Sequence, residues 1–291
     1  MGGSQIWFKE GEELTVDEAL KAICVVSAND VTVAMAEHIG GSEENFVKMM
    51  NDKATELGMV NTHFMNSHGI DEENHYTSAR DIAIMSRELI TKHPDILKYT
   101  SIWMDSLRDG TFELSSTNKL IRYYKGATGL KTGSTSQALF NLSGTATRDG
   151  TTFIAVVMRA PSSDIRLAEI KQLLDFGFAN YATQSVCDKD TVIESINVNK
   201  NVKDLVDVVV KDDIATLVDK GSKVETNTNI IYNEDITAPL RKGDVIGRIE
   251  IINSSDNQVV GSSELVVKED VNKSDFIDYF KKIFKVYLLR S

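Results

Sequence analysis

Residues 20–40 read Leu20-Lys21-Ala22-Ile23-Cys24-Val25-Val26-Ser27-Ala28-Asn29-Asp30-Val31-Thr32-Val33-Ala34-Met35-Ala36-Glu37-His38-Ile39-Gly40. Leu20, Ile23 and Cys24 recur at helical spacing, and so do Val31, Ala34, Met35 and His38. Ser27-Ala28-Asn29-Asp30 interrupts the pattern, which predicts two helices meeting at a polar corner. Thr15 with Asp17-Glu18 behind it reads as the N-cap of the first helix, and Gly40-Gly41 stops the second. The corner sets a hydroxyl and a carboxamide two positions apart. The Ser27 hydroxyl suits passing a proton, and the Asn29 amide suits orienting a peptide bond.

A second informative stretch is Gly129-Leu130-Lys131-Thr132-Gly133, which closes a Gly-rich turn. A strand edge ending in Gly133 lets a ligand backbone come close, while Thr132 and Lys131 can hold a carboxylate and support proton transfer. Each tripeptide alone is a weak signal, because such common residues co-occur by chance. Two decoys make the point. Ser255-Asp256-Asn257 falls among strands far down the chain, and Ser116-Thr117-Asn118-Lys119 follows Ser27 and starts no long apolar helix. A motif counts only in its structural context.

Ser42-Glu43-Glu44-Asn45 caps a third helix with Phe46, Met49, Met50, Ala54 and Leu57 on one face, and the methionines read as core. Residues 58–77 are polar and loop-like. Ser78 starts a helix with Ile82, Met85 and Leu89 inward, and His93-Pro94 ends it. Over 101–153, short alternations such as Phe140-Leu142 and Phe153-Ala155-Val157 predict antiparallel strands, with Arg148-Asp149-Gly150 as a tight turn. A helix over about 163–181 carries Ile165, Ala168, Leu173 and Phe176 among its apolar positions. Beyond it, Val206-Val208-Val210, Ile230-Ile231, Val245-Ile249-Ile251, Val259-Val260 and Leu265-Val267 predict a small all-β domain, with the boundary near 181–186.

The final segment sets Phe276, Phe280, Ile283 and Tyr287 on one helix face, interleaved with Lys281, Lys282, Lys285 and Arg290 against Asp278. A basic amphipathic helix in an acidic chain fits binding in the plane of an anionic lipid surface. The alternative is a terminal helix docked on the β domain.

The chain has 291 residues, 42% hydrophobic and 26% charged, enough for two domains. Its net charge of −11 argues against nucleic acid as a partner. No run of apolar residues is long enough to span a bilayer, and Met1-Gly2-Gly3-Ser4-Gln5 is not a signal peptide. Cys24 lies in an apolar run and reads as a small buried hydrophobe; with Cys187 it makes no disulfide framework. His63, His68 and His75 share one loop but lack metal-ligand spacing, so no metal is expected and hydrogen bonds to the loop backbone are. Asn66 and Asp81 read as structural in the same way.

Taken in order, Gly3-Ser4-Gln5-Ile6, Lys9-Glu10-Gly11, Ser27-Ala28-Asn29-Asp30, Ala34-Met35-Ala36-Glu37, Leu57-Gly58-Met59, Asn61-Thr62-His63-Phe64, Ser67-His68-Gly69, Tyr76-Thr77-Ser78-Ala79-Arg80-Asp81 and Gly129-Leu130-Lys131-Thr132-Gly133 resemble the low-molecular-weight penicillin-binding proteins. Within them the match is to the serine-type D-alanyl-D-alanine carboxypeptidases, over nearly the whole chain. A small departure is Ala28, where the family usually has Gly. A class A β-lactamase is disfavoured by Ser-Ala-Asn in place of Ser-Asp-Asn and by the appended β domain. The resemblance implies an α+β fold: an antiparallel sheet with helices, incomplete at its N-terminus, over 1–181, a small all-β domain over 182–269, and an amphipathic membrane-associating helix over 270–291.

It also implies a reaction. Members trim the terminal D-alanine of peptidoglycan pentapeptide stems through an acyl-enzyme, need no cofactor, and are acylated by β-lactam antibiotics. Ser27, Asn29 and Lys131 take the proton-relay and orienting roles. Lys131, Thr132 and Gly133 grip the substrate backbone and carboxylate. Arg166 matches an arginine that helps hold that carboxylate, with a solvated helix arginine as the alternative. The family's nucleophilic Ser-x-x-Lys has no counterpart before Ser27. Met1 therefore resembles an internal position of a longer precursor, whose missing part would hold the nucleophile, its lysine and a signal peptide that sends the protein to the extracytoplasmic face of the bacterial cell membrane or into secretion. The chain as given is expected to be inactive. A non-catalytic stem-binding protein is the alternative function.

Overall fold

The computed structural model describes residues 2–201 and 205–288, with side chains as far as Phe284. Two compact units divide between Ala179 and Asn180.

The first unit opens with α1 (Val16–Val26), α2 (Asn29–Gly40) and α3 (Glu43–Glu56). Thr15 closes a capping box with Glu18, and Ser42 accepts from the Asn45 amide at the head of α3. Between α1 and α2 the chain turns at Ser27, which sits in the left-handed region at φ 60°. Ala28, fully buried, packs into a core with Ile6, Ala22, Val25, Val31, Leu107 and Leu114. Its methyl therefore has a packing role.

The unit continues through α4 (Ala79–Lys92), α5 (Leu97–Thr100), β1 (Met104–Leu107), β2 (Phe112–Ser115), α6 (Leu120–Tyr123), β3 (Ala127–Thr135), β4 (Leu139–Arg148), β5 (Thr151–Ala160) and α7 (Ser163–Asn180). β1 pairs with β2, and β3-β4-β5 form an antiparallel sheet in that order. Arg148-Asp149-Gly150 makes the expected turn, with Asp149 at φ 49° and Gly150 at φ 76°, the signs a two-residue type I′ hairpin requires. In the β3–β4 register Lys131 faces Ser143, Thr132 faces Leu142 and Gly133 faces Asn141. The other edge of β3 carries no strand among the described residues.

Three apolar faces differ from expectation. On α4, Ile82, Met85 and Leu89 are half-buried, while Asp81 and Ser86 are the buried positions. Asp81 accepts from the Asn61 amide and the Thr62 hydroxyl, and Ser86 shares a 2.7 Å hydrogen bond with Ser143 of β4. On α7, Ile165, Leu173 and Phe176 are exposed, and the buried line is Arg166, Ile170, Leu174 and Gly177. Small residues on the sheet and helix fix that choice. A Cβ on Gly144 would lie 2.9 Å from Ile170, and one on Gly177 would lie 3.1 Å from the Phe153 ring. On α3, Met49 is exposed and Met50 half-buried, so only Ala54 is fully buried there.

The second unit is all-β before its last helix. β6 (Tyr181–Cys187), β7 (Val192–Ile196), β8 (Val206–Val210), β9 (Ile214–Asp219), β10 (Thr226–Tyr232), β11 (Val245–Asn253) and β12 (Val259–Val267) form two sheets. β6 pairs with β9, and the larger sheet runs β10-β11-β12-β8-β7. Val208, Val210, Ile249, Ile251 and Leu265 are at its buried centre. Ser255-Asp256-Asn257 sits in the β11–β12 connection, between two strands and not at a helix corner. The unit ends with α8 (Phe276–Leu288), on which Phe276, Phe280 and Ile283 are 82%, 60% and 69% exposed. Among its described side chains the apolar face is thus uncovered. The expectations for Lys285, Tyr287 and Arg290 lie outside the described side chains. Among the described residues no helix is long and apolar enough to cross a membrane.

Candidate active site

The corner between α1 and α2 and the open edge of β3 meet in a cleft of about 900 Å³, lined by Ser27, Asn29, Lys131, Thr132, Gly133 and Arg166 among others. All six residues expected at the site therefore share one cavity. Lys131 Nζ donates to Ser27 Oγ and, at 2.9 Å, to the Thr132 carbonyl. Burial of its ammonium end pushes the Lys131 pKa down to about 8. The nearby Arg166 guanidinium pushes the same way. The Cys24 thiol is pushed up to about 11 by its own burial, so it packs as a neutral thiol.

Thr132 Oγ1 shares a 2.6 Å hydrogen bond with Thr117 Oγ1, from the segment before α6. Gly133 has open space where a Cβ would point, so a ligand backbone can approach the strand there. Asn29 begins α2. Its backbone amide donates to the Ser4 carbonyl at 2.8 Å, and its Nδ2 donates to the Gly2 carbonyl at 2.9 Å. Gly3, at φ +79°, passes so close that a Cβ would lie 2.5 Å from Asn29 Nδ2. The Asp30 carboxylate clasps the same segment, accepting from the Phe8 amide at 2.9 Å.

Arg166 is buried, which removes the solvated alternative. Nη1 donates to the Asn141 carbonyl at 3.2 Å and Nη2 to Ser163 Oγ at 3.3 Å, while Nε is buried with no partner among the described residues. Desolvation pulls its pKa down, in the direction of a group short of anionic partners.

The Ser-x-x-Lys decoy is not a reactive pair. Ser116 is buried, and its hydroxyl accepts from the Asn118 amide at 3.2 Å. Lys119 instead reaches Asp164 at 3.5 Å. The three loop histidines bond the backbone: His63 Nδ1 to the Asn74 carbonyl, His75 Nδ1 to the Met65 amide and His68 Nδ1 to the Ile70 amide. Asn66 gathers its loop by donating to the Ile70 carbonyl and accepting from the Gly69 amide.

Gly3, Ser4, Thr117, His68 and Ile70 also line the cleft. The reading of residue types missed their placement there. Only the unusual density of Gly and Ser at 2–4, ahead of the first helix, hinted that a backbone passes closely.

The family model described as D-alanyl-D-alanine carboxypeptidase matches residues 1–162, and that of the penicillin-binding protein 5 C-terminal domain matches 181–273. D-alanyl-D-alanine carboxypeptidase DacF of Bacillus subtilis is 40% identical over 286 residues, covering 97% of this chain and 73% of its own. DacA of Escherichia coli is 30% identical over 291 residues, covering 97% and 71%. Among solved structures, penicillin-binding protein 5 from Haemophilus influenzae superposes with a TM-score of 0.68 at 33% identity, over 93% of this chain and 78% of that one. Cefotaxime-bound penicillin-binding protein D2 from Listeria monocytogenes superposes with a TM-score of 0.53 at 32% identity, over 57% and 67%.

Proposed function

The chain belongs to the D-alanyl-D-alanine carboxypeptidase family of low-molecular-weight penicillin-binding proteins, and from that premise we propose that its cleft holds the D-alanyl-D-alanine terminus of a peptidoglycan stem. The family's members are serine-type hydrolases acting in peptidoglycan metabolism. The observation that carries the proposal is the hydrogen bond from Lys131 Nζ, midway along β3, to Ser27 Oγ. It joins a proton carrier to a cation where a carboxylate and a departing amine would meet.

In this reading Lys131, Thr132 and Arg166 hold the terminal carboxylate. Asn29 orients the peptide bond, and Gly133 leaves room for the ligand backbone. With a pKa near 8, Lys131 is an ammonium at neutral pH and a proton acceptor just above it. Ser27 lies beside it, placed to pass a proton at the nitrogen of the peptide bond that the family's enzymes cleave.

The one Ser-x-x-Lys of the sequence, Ser116–Lys119, makes no serine–lysine pair, since Ser116 is buried and Lys119 reaches Asp164. We therefore expect the 291-residue chain to bind the stem terminus without forming an acyl-enzyme. That outcome also describes the alternative, a non-catalytic stem-binding protein, which uses the same cleft. The uncovered apolar face of α8 supports attachment to an anionic membrane surface, on the extracytoplasmic side where peptidoglycan lies.

The test is calorimetric titration with N-acetyl-D-Ala-D-Ala and its all-L isomer. Binding confined to the D,D peptide and lost in Lys131→Ala is expected; equal binding of both isomers refutes the assignment. Covalent labelling of the chain by a fluorescent penicillin refutes the expectation that it is not acylated.

A further inference from the structure

One wall of the cleft is the loop that carries His68, Gly69 and Ile70, opposite Gly133 and Thr135 of β3. That loop is tied down at two ends. At one, Glu43 at the head of α3 accepts from the Ser67 amide at 3.0 Å and the Ser67 hydroxyl at 2.7 Å. At the other, Asp71 reaches across to the β3–β4 turn. Its Oδ1 accepts from Thr135 Oγ1 at 2.5 Å, and its Oδ2 accepts from Ser136 Oγ at 3.2 Å and the Gln137 amide at 3.3 Å. Thr135 Oγ1 in turn accepts from the Ala138 amide at 2.9 Å, so the turn and the carboxylate form one knot.

We propose that Asp71 is a positioning residue that sets the separation between the His68–Ile70 wall and the Gly133–Thr135 edge, and so governs how the peptide upstream of the terminal D-alanines is held. This rests on the reading that the cleft takes such a terminus.

The location decides which part of a ligand is affected. In this reading the carboxylate goes to the Ser27 end, where Lys131 sets its positive charge; Arg166 stands beside β4 at Asn141, opposite Gly133. Thr135 lies four residues further along β3, about 13 Å at the rise of an extended strand. A dipeptide anchored by its carboxylate ends short of the knot, whereas a longer stem peptide lying along the strand passes it. The Thr135 hydroxyl holds the Asp71 carboxyl below its usual range, so the acceptor stays ionised at any working pH. Charge-assisted acceptors of this kind fix geometry more firmly than neutral ones.

The experiment compares the full chain with Asp71→Ala and Thr135→Val, titrating N-acetyl-D-Ala-D-Ala and N-acetyl-L-Lys-D-Ala-D-Ala. Both variants should lose about tenfold in affinity for the tripeptide and less than about twofold for the dipeptide. The double variant should be no worse than the stronger single one. Equal losses on both ligands, or no loss, overturn the proposal. Amide hydrogen exchange on ligand-free protein is the second readout. Residues 68–71 and 135–138 should exchange about tenfold faster in either variant. Unchanged exchange overturns the proposal. Failure of the wild-type chain to bind either peptide would instead refute the stem-terminus reading, leaving the exchange measurement to decide on Asp71.

Discussion

Ser27 and Lys131 stand 104 positions apart in the chain and are joined by a hydrogen bond in which the lysine donates. Ser27 is held at a left-handed corner whose next residue is buried, and Lys131 sits on a strand whose register is fixed by Ser143 opposite. Neither side chain needs to reorganise to meet the other.

The first prediction concerns pH and ligand binding. A carboxylate ligand favours the Lys131 ammonium, whose pKa is about 8 in the free protein. Affinity for N-acetyl-D-Ala-D-Ala should therefore fall as pH rises through about 8, and binding should take up protons there. Calorimetry in buffers of different ionisation enthalpy checks this. A flat affinity from pH 7 to 9 would contradict it.

The same lysine predicts a sign for stability. Its folded pKa lies below the unfolded value of 10.5, so from about pH 8 upward the unfolded chain holds a proton that the folded one lacks. Stability from this group rises with pH in that window. Cys24 acts oppositely above its ordinary value of 9.0, because its folded pKa is raised to about 11. The net gain should therefore appear between pH 8 and 9 and vanish in Lys131→Met. Urea unfolding at half-unit pH steps resolves it.

Gly3→Ala should cost about 1–2 kcal/mol in stability, from a strained positive φ and a clash with the Asn29 amide. It should also weaken dipeptide binding, since the displaced Asn29 amide is the one proposed to orient the ligand. Thermal melts and titration together check both effects. A variant that melts like wild type would show that the approach relaxes freely.

Arg166→Lys should lose about 1–3 kcal/mol, because one ammonium nitrogen replaces the two separate nitrogens with which the guanidinium reaches the Asn141 carbonyl and the Ser163 hydroxyl. Dipeptide affinity should fall as well. An unchanged melting point would mean that the guanidinium fork is not what ties α7 to β4.

Removing residues 276–291 should abolish co-sedimentation with anionic vesicles and leave the β unit folded. The cut spares Val271, which pairs with Leu240 and is buried. Unchanged sedimentation would rule out α8 as the attachment.

What could be read from residue types alone followed how local the determinants are. The Ser27 corner was legible because a helical period breaks there and resumes. The 148–150 hairpin was legible because Asp-Gly demands positive φ values. Arg166 was legible by motif, but not its burial. The exposed Leu173 and Phe176 suggested the wrong face of α7, since the winning face is chosen by Gly144 and Phe153 on distant strands. Asp71 gave no signal: an aspartate in a polar loop reads as solvated, and its partner Thr135 is 64 residues away. On α4 Asp81 was legible as structural but Ser86 was not, because it is paired by a hydroxyl that only the sheet supplies.

Gly177 lies against the flat of the Phe153 ring, and the missing methyl there lets α7 settle low onto its sheet. Arg166 is carried eleven residues earlier on the same rod, about 16 Å away at the rise of a helix. The height at which that rod rests is thus passed along its length to the guanidinium. How far the cation reaches into the cleft is set, in part, by a position bearing no side chain at all.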